Sequence, residues 1–164
     1  MASEPLLSEV LRDIKSSFGE TDFLSGWMAF DFTDYYTLEM GEGLKRRIVT
    51  FVELIAPDTL PSVKLRTNEI EQKYAQEGKR QINIDPGYVC GEHVILATTK
   101  GYAHRPYLGH GIYADLTLIF RNGSFRSLEW TYPDYRQEDV REIFKGIRKT
   151  YLSQLRKTAG ANAH

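Results

Sequence analysis

The chain has 164 residues, with 21 Lys and Arg against 22 Asp and Glu, for a formal charge of -1. A length of this order suits one domain able to bury roughly two thirds of the surface its unfolded form exposes, and the charge balance excludes a whole-molecule field pulling it toward nucleic acid or anionic lipid. The lone Cys90 cannot form an internal disulfide, which argues against a small secreted scaffold. Met1 to Gly19 lacks the apolar core of a signal peptide, and no stretch approaches the ~20 apolar residues that span a bilayer. The expectation is a cytoplasmic protein with no membrane partner, one α+β domain over residues 1–157 and a disordered tail over 158–164.

In chain order, Leu6, Leu7, Val10, Leu11, Ile14 and Phe18 recur at three- and four-residue spacing after Ser3, a candidate N-cap, and Gly19 supplies a stop, so an amphipathic helix is predicted. Trp27 to Phe32 alternates as a strand does, and Ile48 to Ile55 is a second β-rich run. Leu60 to Leu65 fits a short helix or a strand. Asn68 with Glu71 resembles a capping box for a helix reaching about Gln76. Gln81 to Asp85 resumes alternation before a turn at Asp85-Pro86-Gly87. Val94 to Ala97 suits a buried strand. Ile112 to Phe120 alternates strictly, and Asn122-Gly123 predicts a hairpin returning along Phe125 to Trp130. A final helix is expected from about Gln137 to Leu155, with Val140, Ile143, Phe144, Ile147, Tyr151 and Leu155 as its buried stripe. Strands joined partly by hairpins and partly across helices point to a mixed, mostly antiparallel sheet with helices packed mainly on one face.

Polar residues cluster where these elements end. Asp31 and Asp34 leave a strand three residues apart, a spacing that serves either a hard cation such as Mg²⁺ or an Asx-turn and N-cap. Asn83 and Asp85 share a face opposite Ile82 and Ile84, and Asp85 serves a turn equally well. The loop from Thr98 to Gly111 supplies Lys100, His104, Arg105 and His110 between glycines. Lys and Arg bind phosphate or carboxylate oxygens, and His exchanges protons near neutral pH. In Trp130 to Arg136, Asp134 with Gln137 reads as a helix cap, while Tyr132 and Arg136 are suited to stacking on a base or gripping an anion. His93, His104 and His110 lack metal-ligand spacing, so no zinc site is expected and no metal ligand is assigned. The chain has no phosphate loop, no Gly-x-Gly-x-x-Gly and no Gly-x-Ser-x-Gly elbow, and so names no cofactor.

The words Phe30-Asp31-Phe32-Thr33-Asp34-Tyr35-Tyr36, Thr67-Asn68-Glu69-Ile70-Glu71, Asn83-Ile84-Asp85-Pro86-Gly87-Tyr88, Leu96-Ala97-Thr98-Thr99-Lys100, Tyr107-Leu108-Gly109 and Thr131-Tyr132-Pro133-Asp134-Tyr135-Arg136 occur in order. Together they resemble the bacterial family called domain of unknown function 4416, from about Glu4 to Leu155. The resemblance implies no established activity, and a GTP-binding label sometimes attached to members finds no phosphate loop or Asn-Lys-x-Asp motif here. Members usually place an apolar strand ahead of the first helix, whereas this sequence opens Met1-Ala2-Ser3-Glu4. The corresponding expectation is an open sheet edge beside the Trp27 strand that a second copy of the chain could occupy.

The leading functional expectation is a site for an anionic, phosphorylated or nucleotide-like small molecule. Lys100, Arg105, Tyr113, Tyr132, Asp134 and Arg136 are its candidate ligand contacts, and Asp31, Asp85 and His104 its candidate catalytic groups. The alternative is an RNA- or protein-binding module that uses the same basic and tyrosine-rich surface.

Overall fold

The computed structural model describes residues 4–32, 34 and 36–161, so the Ser3 cap lies outside the described residues, as do Thr33 and Tyr35. The fold is α+β with antiparallel sheets. By internal contacts the chain divides into two compact units, Met1–Pro86 and Gly87–His164.

The first unit opens with helix α1 (Glu4–Phe18). Its end follows from Gly19, which takes φ +96° and donates its N–H to the Lys15 carbonyl at 2.8 Å, a geometry that spares the Cβ strain other residues meet there. The buried stripe Val10 and Ile14 meets Ile70 and Ile82, with Phe18, Phe51, Tyr74 and Ile84 packed around them. Fully burying such side chains stabilises by roughly 1.5–3 kcal/mol each. Strands β1 (Thr21–Leu24), β2 (Met28–Ala29), β3 (Lys45–Arg46) and β4 (Val49–Phe51) form two short ribbons, β1 with β4 and β2 with β3, and helix α2 (Thr37–Met40) lies between β2 and β3 in sequence. The strand expected from Trp27 to Phe32 thus shortens to two residues. A 3-10 turn (Pro57–Thr59) leads into helix α3 (Leu60–Lys73).

That helix resolves the ambiguity at Leu60 to Leu65, and it places Asn68 and Glu71 inside a helix rather than at its start. Pro61, in the first turn, is the local reason, because its missing N–H costs nothing there. Residues 81–86 pair with no strand. Their alternation is nevertheless real: Ile82 enters the α1–α3 core with Ile84 packed against it, while Asn83 on the opposite side bonds to Arg80 and Asp85.

The second unit begins at Gly87, and the turn expected at Asp85-Pro86-Gly87 is replaced by entry into strand β5 (Gly87–Val89). Beside it run β6 (His93–Thr98), β7 (Tyr107–Gly109), β8 (Ile112–Arg121) and β9 (Ser124–Ser127). The ten-residue β8 is the spine: β6 pairs along one side, and the other side holds β7 against its first half and β9 against its second. Arg121 faces Ser124 across Asn122 and Gly123, with φ of +50° and +79°, the left-handed pair that a two-residue hairpin demands. Helix α4 (Glu138–Ala161) packs on β9 and β5 and buries Val140 and Phe144, the latter stacked on Tyr135. It continues six residues past Leu155 through Arg156, Lys157 and alanines that favour helix without packing.

Gly87 is fixed by space rather than by φ, since a Cβ there would run into the Ile95 carbonyl oxygen and the Leu96 side chain across the β5–β6 ladder. Gly87→Ala should therefore destabilise the protein by about 1–3 kcal/mol in denaturant unfolding. An unchanged midpoint would mean that β5 does not approach β6 so closely.

Candidate functional site

In the second unit the loop residues converge on a group that pattern reading passed over. Asp115 occupies the middle of β8 opposite Leu96 and is 4 % exposed. A carboxylate removed from water requires charged or hydrogen-bonding partners, and Asp115 has them. Arg105 donates from Nε to Oδ2 at 2.8 Å, His104 Nε2 stands 3.4 Å from the same oxygen, and the Thr117 hydroxyl lies 3.5 Å from Oδ1. Each nitrogen of the arginine is engaged: one terminal nitrogen donates to the Lys100 carbonyl at 3.1 Å and the other to the Tyr132 hydroxyl at 2.8 Å. It thereby clamps the loop, and these three contacts leave one N–H on each terminal nitrogen.

His104 is placed differently. Its ring stacks on Trp130 at 4.7 Å between centroids with 16° between planes, and Tyr102 approaches from another side at 5.7 Å. The Trp130 indole is itself pinned, donating Nε1–H to the Leu116 carbonyl at 2.7 Å. One residue on, Thr131 donates its hydroxyl to the Thr117 carbonyl and accepts from Leu128 N–H, both at 2.7 Å. Three consecutive residues of β8, Asp115 to Thr117, thus fix the His104 loop and the Trp130 turn together. Nε2 faces Asp115, and among the described residues Nδ1 has no hydrogen-bond partner. With the proton on Nε2, Nδ1 is an acceptor; once protonated, it is a donor.

The remaining four expected contacts have other surroundings. Tyr113 leans on the Gly101 backbone, where a Cβ would come within 3.1 Å of its ring, and meets Tyr107 at 5.2 Å. Lys100 is exposed at the head of the loop, its N–H bonded to Thr98 Oγ1. Arg136 donates from Nε to the Thr131 carbonyl and from one terminal nitrogen to the Glu129 carbonyl. Asp134 is buried and stands four residues before α4, too early to cap it. Asp115, Trp130 and Thr131 are the members that sequence reading missed.

Asp31 and Asp85 belong to the first unit, where both are exposed. Asp85 accepts from Asn83 at 2.9 Å at the end of a relay centred on Arg80. The Arg80 guanidinium forks onto both oxygens of Glu39 at 3.0 and 2.9 Å, a contact that raises the arginine's affinity for its proton and holds the Glu39 carboxyl below its ordinary value. Glu71, 6 % exposed, caps the otherwise unpaired Ile84 N–H at 2.6 Å, and burial pushes its pKa up despite Lys64 and Arg80. Burial likewise raises the Cys90 thiol, which argues against a reactive cysteine. Among the described residues no group of three His, Cys, Asp or Glu side chains is arranged to hold a metal ion, and no helix is long and apolar enough to cross a membrane.

Fold and site together define an α+β protein whose second unit is organised around a buried carboxylate shared by an arginine and a stacked histidine. The chain belongs to the family described as domain of unknown function (DUF4416), whose model matches residues 1–151. No curated protein and no solved structure shows significant similarity to it.

Two outcomes are expected. Asp115→Asn leaves Arg105 buried without its counter-charge and should cost about 3 kcal/mol or more in unfolding free energy; a loss under about 1 kcal/mol would mean that the pair is not closed in solution. Because the folded pKa of Glu71 lies above the ordinary 4.5, the folded state holds that proton more tightly than the unfolded state. Stability conferred by protonated Glu71 is therefore complete below 4.5 and is lost as pH rises through the raised value. Glu71→Gln should flatten that decline in melts taken across mildly acidic pH, and an equally steep decline in the variant would contradict the assignment.

Proposed function

We propose that the His104 loop binds an anionic small molecule, phosphorylated or nucleotide-like, and that His104 is the group which meets it. The observation that carries this reading is the imidazole held by Asp115 on one nitrogen and Trp130 on one face, with its other nitrogen uncommitted among the described residues. Folding accounts for the Asp115 contact and the stacking but does not use the second ring nitrogen. A ligand gains a pre-oriented hydrogen bond at no cost in side-chain ordering. Protonated, Nδ1 donates to a phosphate or carboxylate oxygen; neutral, it accepts a proton from a ligand hydroxyl or water, which is what general acid–base turnover requires. Lys100 adds a positive charge at the loop head, and the Tyr132 hydroxyl, already accepting from Arg105, has its own proton to offer. Asp31 and Asp85 are proposed separately, as candidate acid–base groups of the first unit, in a cytoplasmic setting.

One observation favours the second reading, a module that binds RNA or protein. Tyr102 is 72 % exposed and Tyr107 61 % exposed, with Leu108 and Tyr132 also open to solvent. Such side chains on one loop and its neighbouring turn suit stacking on unpaired bases.

The test is a thermal-shift and calorimetric screen of nucleotides and sugar phosphates against the parent, His104→Ala, Asp31→Asn and Asp85→Asn. A ligand that stabilises the parent should bind His104→Ala at least about tenfold more weakly, the worth of one charge-assisted hydrogen bond. Equal affinity in a folded His104→Ala variant would remove His104 from the site. Unchanged binding of every ligand by both Asn variants would remove Asp31 and Asp85 as candidates. Binding of unstructured RNA that Tyr102→Ala and Tyr107→Ala weaken, with no response to any small anion, would favour the second reading.

A further inference from the structure

The charge of the chain is unevenly distributed. Residues 1–86 carry ten Lys and Arg against fifteen Asp and Glu, while residues 87–164 carry eleven against seven. The excess of the second unit gathers at its end: after Glu142 there are five cations and no carboxylate as far as Ala161. Helix α4 sorts these from its apolar stripe. Val140, Phe144, Ile147 and Tyr151 recur along one side, whereas Lys145, Arg148, Lys149, Leu152 and Arg156 recur at three-, four- and seven-residue steps along the adjoining flank, as the period of 3.6 dictates.

That flank lines an open cleft of about 480 Å³ closed on its far side by Phe120, with Glu142 as the one acid at its edge. Arg148 is the fixed member. Its Nε donates to the Gly91 carbonyl at 2.8 Å, and its guanidinium lies 3.5 Å from the centre of the Phe120 ring, which it covers. Lys145, Lys149 and Arg156 are not spent this way: among the described residues none has an ion-pair partner. Uncompensated like charges along one flank repel one another, a cost that a bound polyanion removes.

We propose that this cleft is a second site, distinct from the His104 loop, that receives the phosphodiester backbone of single-stranded nucleic acid. The spacing identifies the class. From Lys145 to Arg156 the cations extend over about 16 Å of helix axis, too far to converge on one phosphate group but matched to successive phosphates of a strand. The concavity argues against a lipid surface, which favours a projecting apolar face that can insert, and a single row of cations on one helix flank suits the phosphates of one strand rather than the two rows of a duplex. With Phe120 capped by Arg148, no aromatic face is offered to a base, so recognition is of the backbone and indifferent to sequence.

Fluorescence anisotropy with a labelled single-stranded RNA, the DNA strand of the same sequence, and anionic vesicles as competitor tests this on the full chain. The parent should bind both strands at low salt, with log affinity falling against log salt at a slope of about -2, the value for roughly three phosphate contacts on a single strand. Lys145→Glu with Lys149→Glu should weaken binding by more than about tenfold without lowering the melting temperature. Arg126→Glu, at an exposed strand position next to the buried Phe125, and His104→Ala should stay within about twofold. Absence of binding by the parent at low salt, an equal loss in Arg126→Glu, or displacement of the strand by vesicles would overturn the proposal. Binding restricted to RNA or to DNA would still support the site and would add a contact to sugar that the cations do not supply.

Discussion

A carboxylate in the middle of a sheet's longest strand has no water to lose its charge into, and Asp115 answers that constraint by drawing two distant residues onto one oxygen. The second unit is arranged around this requirement. Arg105 and His104 come from the loop that precedes β7, so satisfying Asp115 closes that loop over β8. Arg105 then reaches Tyr132 in the turn after β9, which ties a third segment to the same centre. The backbone of β8 does the rest, with the Leu116 and Thr117 carbonyls anchoring Trp130 and Thr131. Removing the carboxylate would cost more than a hydrogen bond, because a nearly buried guanidinium would be left without a counter-charge.

The first unit obeys the same rule with other residues. Glu71 is buried inside α3 and would be unfavourable there but for the Ile84 N–H, a backbone donor with no strand to pair it. Arg80 stands between Glu71 and Glu39, so the extended stretch from Arg80 to Asp85 is held by side chains in place of a ladder. Both units thus use a buried acid to fix a segment that has little regular structure. They differ in what is left over: the arginine fork in the first unit is fully engaged with its partners, while in the second the clamp leaves one histidine nitrogen uncommitted.

Much of the fold was legible because local chemistry determined it. Asn122-Gly123 announced a two-residue turn since both positions need positive φ, and Leu6 to Phe18 announced a helix since its apolar residues share one face. Gln81 to Asp85 misled because alternation records which side is buried, and burial against α1 and α3 produces the same pattern as burial in a sheet. Asn68 and Glu71 have the spacing of a capping box, but Glu71 instead accepts from the N–H of Ile84, thirteen residues on. Of the site, Lys100, His104 and Arg105 were visible as polar residues on a glycine-bounded loop. Their organiser was not, because a lone Asp inside Ile112 to Phe120 fits the polar side of an alternating strand. The available signal was position: a carboxylate at the centre of a ten-residue strand, flanked by Ala114 and Leu116, is far from any end at which solvent could reach it.

The claim on which these relations rest is that Asp115 sets the orientation of His104, and the ring nitrogens report it directly. Long-range proton–nitrogen NMR of the protein should place the proton of the neutral His104 ring on Nε2 and leave Nδ1 unprotonated. The same spectrum of a folded Asp115→Asn variant should show the two tautomers averaging. A parent spectrum with the proton on Nδ1, or averaged tautomers already in the parent, would contradict the account.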